Sequence, residues 1–299
     1  MHKTFKCFLL AILFSTTQIT FGAPVLVKEN QVCCEIKSLL KRLGYTGEYD
    51  LDSVFTYTQK HWMQFPKNRW DFSKNYQNNK NELFPYFNKL NLLEKIEAKK
   101  THYDLAAIHG ATLSRMRNRI AYLAAEWEKG VRFDKITFLT GPRTLQKSFE
   151  GKKDLLTASC ELPFAKETVP TGALPENEMQ MAKFIYESAK LPDGMRNLPV
   201  EYICAEIKSA HLFPHTTPTT SDAILTFLES NPKEKTLLLV SNQPFVMYQD
   251  IITRYFLQQE FEIETIGDRA HENITVSVLI DNIAKCLFWE KLARDKFVD

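Results

Sequence analysis

The chain has 299 residues, of which 44% are hydrophobic and 25% are charged, and its formal net charge is +2. This composition is typical of a globular protein, and the length allows one substantial domain with an extension or two small domains. A nearly neutral chain has no global field that would draw it onto nucleic acid, so the composition argues against general nucleic-acid binding.

Residues 1–22 have the anatomy of a secretory signal peptide. A short basic region precedes the apolar stretch CFLLAILF, and small residues lead to a cleavage site near Gly22 or Ala23. The apolar stretch is shorter than the roughly 20 residues of a membrane span. Cleavage removes Lys3 and Lys6 and no acidic residue, which leaves a formal charge of zero. We expect an exported protein, periplasmic or secreted, without a later transmembrane segment; an uncleaved N-terminal anchor is the alternative.

Residues 23–100 are expected to form a mainly helical N-terminal extension. Helical periodicity covers 29–43 and stops at Gly44. Aromatic and basic residues are interleaved in an aromatic arm at 62–87. Such an arm binds a glycan, a single-stranded nucleic acid or a protein partner, or else packs its rings on the main domain as a lid.

The cysteines do not indicate a metal site. Five cysteines follow the signal peptide, two of them adjacent as Cys33 and Cys34. An odd number is a poor disulfide framework, and none has zinc-like spacing with histidine. Disulfide pairing of the adjacent cysteines and free thiols both remain open, and no metal or cofactor is identified.

After residue 100, apolar runs suited to buried strands alternate with helical patterns. The strands are expected at 103–110, 135–141, 200–205, 235–242 and 261–267, and the helices at 113–129, 175–190, 220–230, 246–259 and 275–293. Runs of valine, isoleucine and leucine without strict alternation are typical of a parallel sheet covered on both faces. Residues 101–299 are therefore predicted to be an α/β domain, a three-layer α/β/α sandwich whose ligands bind at the carboxyl ends of its strands.

The first strand end carries the strongest signal for an anion. His109 and Gly110 precede a helix whose free amides, capped by Thr112 or Ser114, favour phosphate or carboxylate. Arg115 and Arg119 are four residues apart and share one helix face, so both can lean toward the same anion. The alternative is that these arginines are ordinary solvated helix residues.

The second strand end adds a glycine and another cation. Gly141 permits close backbone approach to a ligand, and Arg143 stands at the same rim. A plain turn is the alternative. Residues 144–174 form a long connection, which is a candidate cap over the crevice. Glu178 opens the next helix and is expected to face the crevice or to serve the helix dipole.

Two later segments complete the predicted site. Thr219 and Asp222 lie at a helix start dense in capping residues, where they bind backbone amides or face the ligand. Ser241 and Asn242 end the fourth strand and are expected to line the site with polar groups.

In this order, the strand ends resemble the DUF218 family of YdcF/SanA/ElyC-like proteins over about residues 103–290. The matching positions are Gly110-Ala111, Arg119, Thr140-Gly141, Glu178, Thr219 with Asp222-Ala223, and Val240-Ser241. The resemblance implies a Rossmann-like fold, a nucleotide-like ligand and a role in envelope polymer or lipid-carrier metabolism. The chain departs from the pattern at Asp222, where asparagine is expected, and at Phe245 and Tyr248, where histidine and arginine are expected.

The predicted function is binding of an anionic small molecule, such as a nucleotide-like compound, a sugar phosphate or a lipid phosphate. Hydrolysis or transfer on that ligand is the candidate reaction, with two carboxylates for acid/base work or for sugar hydroxyls. These carboxylates are Glu178 and Asp222. The residues expected to bind or line the ligand are His109, Gly110, Arg115, Arg119, Gly141, Arg143, Thr219, Ser241 and Asn242.

Two other functions compete with this one. In a histidine phosphatase, His109 would accept the phosphoryl group. That motif needs arginine where the chain has Ile108, and His271 is only a loose candidate for the second histidine. The third hypothesis is a secreted interaction protein that binds a partner through the aromatic arm.

Overall fold

The N-terminal extension begins with a short hairpin rather than with a helix. The computed structural model describes residues 25–64, 80–165 and 173–298, so the predicted signal peptide and most of the aromatic arm lie outside it. Strands β1 (Val27–Lys28) and β2 (Gln31–Val32) pair antiparallel. Glu29 and Asn30 form the turn with positive φ angles. The helix predicted from residue 29 therefore begins only at Cys34.

Three helices follow in the extension: α1 (Cys34–Arg42), α2 (Leu51–His61) and α3 (Lys80–Lys89). Their apolar faces join the C-terminal helix α10 (Val276–Val298) in one hydrophobic cluster. Trp62 and Phe87 are buried in this cluster, while Phe84 is partly buried. Within the described part of the aromatic arm, these three rings thus pack on the body of the protein.

The centre of the fold is a five-stranded, entirely parallel sheet. Its strands are β3 (His102–His109), β4 (Arg132–Thr140), β5 (Val200–Cys204), β6 (Thr236–Asn242) and β7 (Glu262–Asp268), in the order β5-β4-β3-β6-β7. All five strands lie within a few residues of the predicted positions. Parallel strands need crossover connections, and helices provide them here.

Helices cover both faces of the sheet. On one face lie α4 (Leu113–Glu128) and α6 (Glu178–Ser188), which pack on alternate residues of β3 such as Ile108. On the other lie α8 (Thr220–Glu229) and α9 (Val246–Leu257), which pack on the intervening residues such as Ala107. The short helices α5 (Lys152–Leu156) and α7 (Asp193–Arg196) lie in connections. The protein is therefore a Rossmann-like three-layer α/β/α sandwich, as predicted.

None of the helices within the described residues combines the length and apolar character needed to cross a membrane. The five cysteines after the predicted signal peptide are all free thiols.

Candidate functional site

The carboxyl ends of β3 and β6 lie side by side at the centre of the sheet. From β3 the chain adds β4 and β5 on one side, then crosses back to add β6 and β7 on the other. Such a switch point leaves a crevice between the two central strands, where open α/β sheets bind ligands. His109 ends β3 and Asn242 ends β6, so the predicted first and fourth strand ends meet here.

Arg119 lies buried at the base of this crevice and is 2% exposed. Its Nη1 donates to the backbone oxygens of His109 at 2.8 Å and Gly110 at 3.0 Å, and its Nε donates to Asn242 Oδ1 at 2.9 Å. The side chain therefore ties the ends of β3 and β6 together. All three acceptors are uncharged, and in the described ranges no carboxylate oxygen lies within 4.0 Å of this guanidinium.

Arg115 lies one turn before Arg119 on α4, at the same crevice. Its guanidinium stacks on the ring of Phe245, 4.3 Å from the centroid, and Phe245 is the residue that precedes α9. Burial and then the charge of Arg115 lower the pKa of Arg119 to about 9, while Glu178 acts in the opposite direction. The two predicted arginines thus share the crevice, and their like charges repel each other.

Arg143, the third predicted cation, is neutralised within the protein. Its Nη1 and Nη2 donate to the two carboxylate oxygens of Glu150 at 2.8 and 2.9 Å, and its Nε donates to Glu178 Oε2 at 2.9 Å. Burial alone would lower the pKa of Arg143, but the two carboxylates outweigh burial and raise it above its usual range. A ligand anion could bind Arg143 only by displacing one of these carboxylates.

Glu150 is a site residue that the sequence analysis missed. It is 1% exposed, and its carboxylate accepts hydrogen bonds from the backbone nitrogens of Leu113 at 3.0 Å and Gln146 at 2.8 Å. Burial alone would raise the pKa of Glu150, but the hydrogen bonds from Arg143 and Gln146 hold it below the usual value. Glu150 belongs to the long connection at 144–174, where no hydrophobic periodicity distinguishes it from its neighbours.

The Glu150 carboxylate occupies the N-terminus of α4, where we expected a ligand anion. Thr112 is the N-cap residue, as one of the two predicted alternatives, but its side chain makes no capping hydrogen bond. Glu150 instead satisfies the first amide of the helix, that of Leu113. The helix end does attract an anion, as helix dipoles do, and the protein supplies that anion itself.

The two predicted glycines differ in what surrounds them. A Cβ placed on Gly110 would lie 2.0 Å from Glu178 Oε1 and 3.1 Å from the backbone oxygen of Leu139. A Cβ on Gly141 would meet only Pro218 Cβ, at 3.8 Å. Close approach therefore requires glycine at position 110, where the neighbour is Glu178. At position 141, where we predicted such an approach, an ordinary van der Waals contact is all that results.

We expect Gly110→Ala to lower the free energy of unfolding by about 2 kcal/mol, within the range of overpacking substitutions. The new methyl group would push the Glu178 carboxylate from its hydrogen bond with Arg143. Gly141→Ala is the matched control, and its effect should stay within about 0.5 kcal/mol. Equilibrium denaturation of both variants measures the difference, and equal effects would show that Glu178 moves aside freely.

His109 lines the base of the crevice with its ring buried. It is 1% exposed, and its Nε2 lies 3.3 Å from Thr253 Oγ1 on α9. Burial and then the charge of Arg119 lower the pKa of His109 to about 3. The imidazole is therefore neutral near pH 7. His271, the candidate second histidine of a phosphatase, is exposed after β7 and accepts a hydrogen bond from the backbone nitrogen of Asn273.

Asp222 is held by six hydrogen bonds and is fully buried. Its Oδ1 accepts from the backbone nitrogens of Lys208 and Ser209 and from the Ser209 hydroxyl, at 2.7 to 2.9 Å. Its Oδ2 accepts from the backbone nitrogen and hydroxyl of Thr219 and lies 2.8 Å from His215 Nε2. Burial alone would raise the pKa of Asp222, but these donors hold it well below the usual range.

Asp222 thus binds a backbone amide at the start of α8, that of Thr219, which is the capping alternative of the prediction. Their contacts fasten the 208–219 segment to the start of α8, and none of these contacts involves the arginines of the crevice. The structure therefore gives both residues a structural task and leaves neither carboxylate oxygen of Asp222 without donors.

The two predicted residues at the end of β6 also differ. Asn242 is 8% exposed and accepts the hydrogen bond from Arg119, so it belongs to the crevice. Ser241 is fully buried, and its hydroxyl donates to Gln249 Oε1 at 2.5 Å. Two further residues stand where the DUF218 pattern expects histidine and arginine. The ring of Phe245 stacks under the guanidinium of Arg115, whereas Tyr248 is partly buried against the clusters formed with α10.

The structure therefore brings together seven of the predicted residues around the β3–β6 crevice, namely His109, Gly110, Arg115, Arg119, Arg143, Glu178 and Asn242. Comparison with protein-family models, with curated proteins and with solved structures gives no match. The DUF218 resemblance stays a prediction, and the geometry of the crevice itself is the basis for inferring a function.

Proposed function

We propose that the protein binds a small anionic ligand of the phosphorylated or nucleotide-like class in the β3–β6 crevice. One observation supports this most directly. Arg119 is a buried guanidinium whose hydrogen-bond partners, within the described ranges, are three uncharged oxygens. Buried charges in proteins are usually paired with an opposite charge, because desolvation of an unpaired ion costs several kcal/mol.

The second cation strengthens the argument. Arg115 adds its charge to the same crevice, and the pKa of Arg119 falls to about 9 under burial and this repulsion. An anion bound between the two guanidinium groups would relieve the repulsion and would be attracted strongly, since the local dielectric constant is low. The half-buried Arg115 is the group that contacts the ligand, and the buried Arg119 attracts the ligand electrostatically from the base of the crevice.

The internal carboxylates define where the anion does not bind. Glu150 and Glu178 already neutralise Arg143, and Glu150 caps α4. The ligand anion therefore belongs beside Arg115 and Phe245 rather than at Arg143. Phe245 offers its ring as an apolar wall for the rest of the ligand.

A hydrolase or transferase reaction in this crevice would use Glu178 as its acid or base. The Glu178 side chain is 13% exposed, and its Oε2 accepts from Arg143. Asp222 is fully buried and bound by its own donors, so it is no longer a candidate for proton transfer. A phosphohistidine mechanism finds little support, since the His109 ring is buried against Thr253.

Export is part of the proposed function and rests on the composition of residues 1–22. An exported protein with an anion-binding crevice would meet ligands of the cell envelope, such as sugar phosphates and lipid phosphates.

A thermal-shift screen tests the ligand class. The panel contains inorganic phosphate, nucleotides, S-adenosylmethionine, sugar phosphates and polyprenyl-phosphate analogues. A ligand present at 100 times its dissociation constant should stabilise the folded protein by about 2.7 kcal/mol. We expect Arg115→Gln to weaken binding of that ligand by about tenfold or more, as loss of a charged contact does.

Arg132→Gln is the matched control for this experiment. Arg132 stacks on Trp127 at 4.4 Å, much as Arg115 stacks on Phe245, but it lies at the amino end of β4. The control should keep the full shift. An equal shift in Arg115→Gln would place the ligand elsewhere, and no shift with any anion would contradict the proposal.

A further inference from the structure

A cluster of side chains that could bind a metal ion lies at the amino-terminal ends of β3 and β4, whereas the crevice lies at the carboxyl ends of the strands. His102 begins β3, Asp104 follows two residues later, and Asp134 lies near the start of β4. One ligand atom from each of the three residues lies within 4.8 Å of the others. These residues belong to the amino ends of the strands, so the cluster is separate from the proposed ligand site.

The strand register explains why the three side chains meet. Tyr103 pairs with Phe133 and Leu105 with Lys135, which puts Asp104 and Asp134 opposite each other on neighbouring strands. Side chains alternate between the faces of a strand, so His102 shares the face of Asp104. No sequence pattern predicts this cluster, because its members come from two strands about 30 residues apart along the chain.

Two carboxylates stand next to each other there with little positive charge. Opposed like charges on adjacent strands destabilise a sheet. The His102 Nε2 lies 3.1 Å from Asp134 Oδ1. In the part of the chain that the structure describes, no side-chain nitrogen of lysine or arginine lies within 4.0 Å of the carboxylate oxygens of Asp104 or Asp134. A divalent cation would balance the two carboxylates.

Asp104 is also held in place by the backbone of the next strand. Its Oδ2 accepts hydrogen bonds from the backbone nitrogens of Lys235 at 2.7 Å and Thr236 at 2.9 Å. The Asp104 backbone nitrogen donates to the Thr236 hydroxyl at 2.8 Å. Hydrogen bonds of this kind orient metal ligands and reduce the entropy lost on binding. These hydrogen bonds hold the Asp104 carboxylate in one orientation in the absence of a metal ion.

We propose that His102, Asp104 and Asp134 bind a divalent first-row transition metal such as Zn²⁺. One imidazole nitrogen and two carboxylate oxygens suit this class of ion, and water fills the remaining positions. Bonds of about 2.0–2.1 Å require ligand atoms roughly 3.3 Å apart in tetrahedral geometry. The side chains of His102 and Asp134 are 57% and 65% exposed, so both can rotate to close that distance. The bound ion cross-links β3 and β4.

Isothermal titration of the full chain with Zn²⁺ tests this site. We expect His102→Ala and Asp134→Asn each to weaken one binding step by about tenfold or more, or to remove it. His211→Ala is the matched control, because His211 is another exposed histidine and its Nδ1 lies 3.2 Å from the backbone oxygen of Lys208. The control should leave the titration unchanged. The free thiols are present in every variant, so they contribute equally to each titration.

The exposed positions of His102 and Asp134 make misfolding of these variants a minor concern, and matching thermal melts without metal would verify that. Loss of one Zn²⁺ in His102→Ala and Asp134→Asn, with no change in His211→Ala, supports the site. Identical titrations for the wild-type protein and His102→Ala would overturn it, as would wild-type protein that takes up no Zn²⁺.

Discussion

Replacing Arg119 by methionine is expected to lower the free energy of unfolding by about 3 kcal/mol. Methionine fills a similar volume but donates no hydrogen bond, so the backbone oxygens of His109 and Gly110 and the Asn242 amide oxygen lose their donor. Hydrogen bonds to a charged group contribute about 1.5–3 kcal/mol each. Relief from burying the guanidinium offsets several kcal/mol of this loss, which leaves a net effect near the stated value.

Chemical denaturation measures this effect, and Arg115→Met on the same helix face is its control. Arg115 is half-buried and stacks on Phe245, a contact that contributes about 0.5–1 kcal/mol at such sites. We expect the control to lose clearly less than Arg119→Met, because Arg115 is only half-buried. If Arg119→Met were as stable as the control, the guanidinium would not hold β3 to β6, and the electrostatic argument for an external anion would weaken with it.

The fold follows closely from local sequence patterns, as β3 and α4 illustrate. The apolar run before His109 is long enough for one buried strand, and the periodic pattern after Thr112 suits one amphipathic helix. The capping contact between Asp222 and the backbone nitrogen of Thr219 was predictable because both residues lie within one turn. Signals of this type depend only on neighbours along the chain.

The partners of the charged residues were not predictable in the same way. Sequence reasoning placed Arg143 at the rim of the crevice, but its neutralisation depends on how the 144–174 connection folds back. Glu150 lies within that connection, and its carboxylate reaches both Arg143 and the start of α4. Nothing in a sequence shows whether an arginine faces a ligand or a carboxylate of its own chain, because both satisfy the same electrostatic requirement. The proposed site therefore leaves out Arg143 and centres on Arg115 and Arg119.

Asp222→Asn should lower the free energy of unfolding by about 3–5 kcal/mol, even though it restores the residue that the DUF218 pattern expects. Backbone N–H groups approach both carboxylate oxygens: Lys208 and Ser209 bind Oδ1, and Thr219 binds Oδ2. An amide offers only one acceptor oxygen. Its NH₂ group must then face at least one backbone donor, which leaves buried groups unpaired.

The same hydrogen bonds predict how the difference in the free energy of unfolding between the wild type and Asp222→Asn depends on pH. The pKa of Asp222 is lower in the folded protein than in the unfolded chain, where aspartate titrates near pH 4. The unfolded chain therefore takes up a proton first, and the stability that this carboxylate contributes is present above about pH 4 and lost as the pH falls further. The gap between wild type and Asp222→Asn should be about 1 kcal/mol smaller at pH 3 than at pH 7.

Denaturation curves at both pH values, with Asp50→Asn as the control, separate this network from ordinary helix capping. Asp50 caps α2 through one amide, that of Ser53, and asparagine caps about as well as aspartate. The control should change stability by no more than about 0.5 kcal/mol. A similarly small effect of Asp222→Asn would mean that the 208–219 segment tolerates an amide. The fold would then not require the Asp222 carboxylate, and Asp222 would return as a candidate catalytic acid.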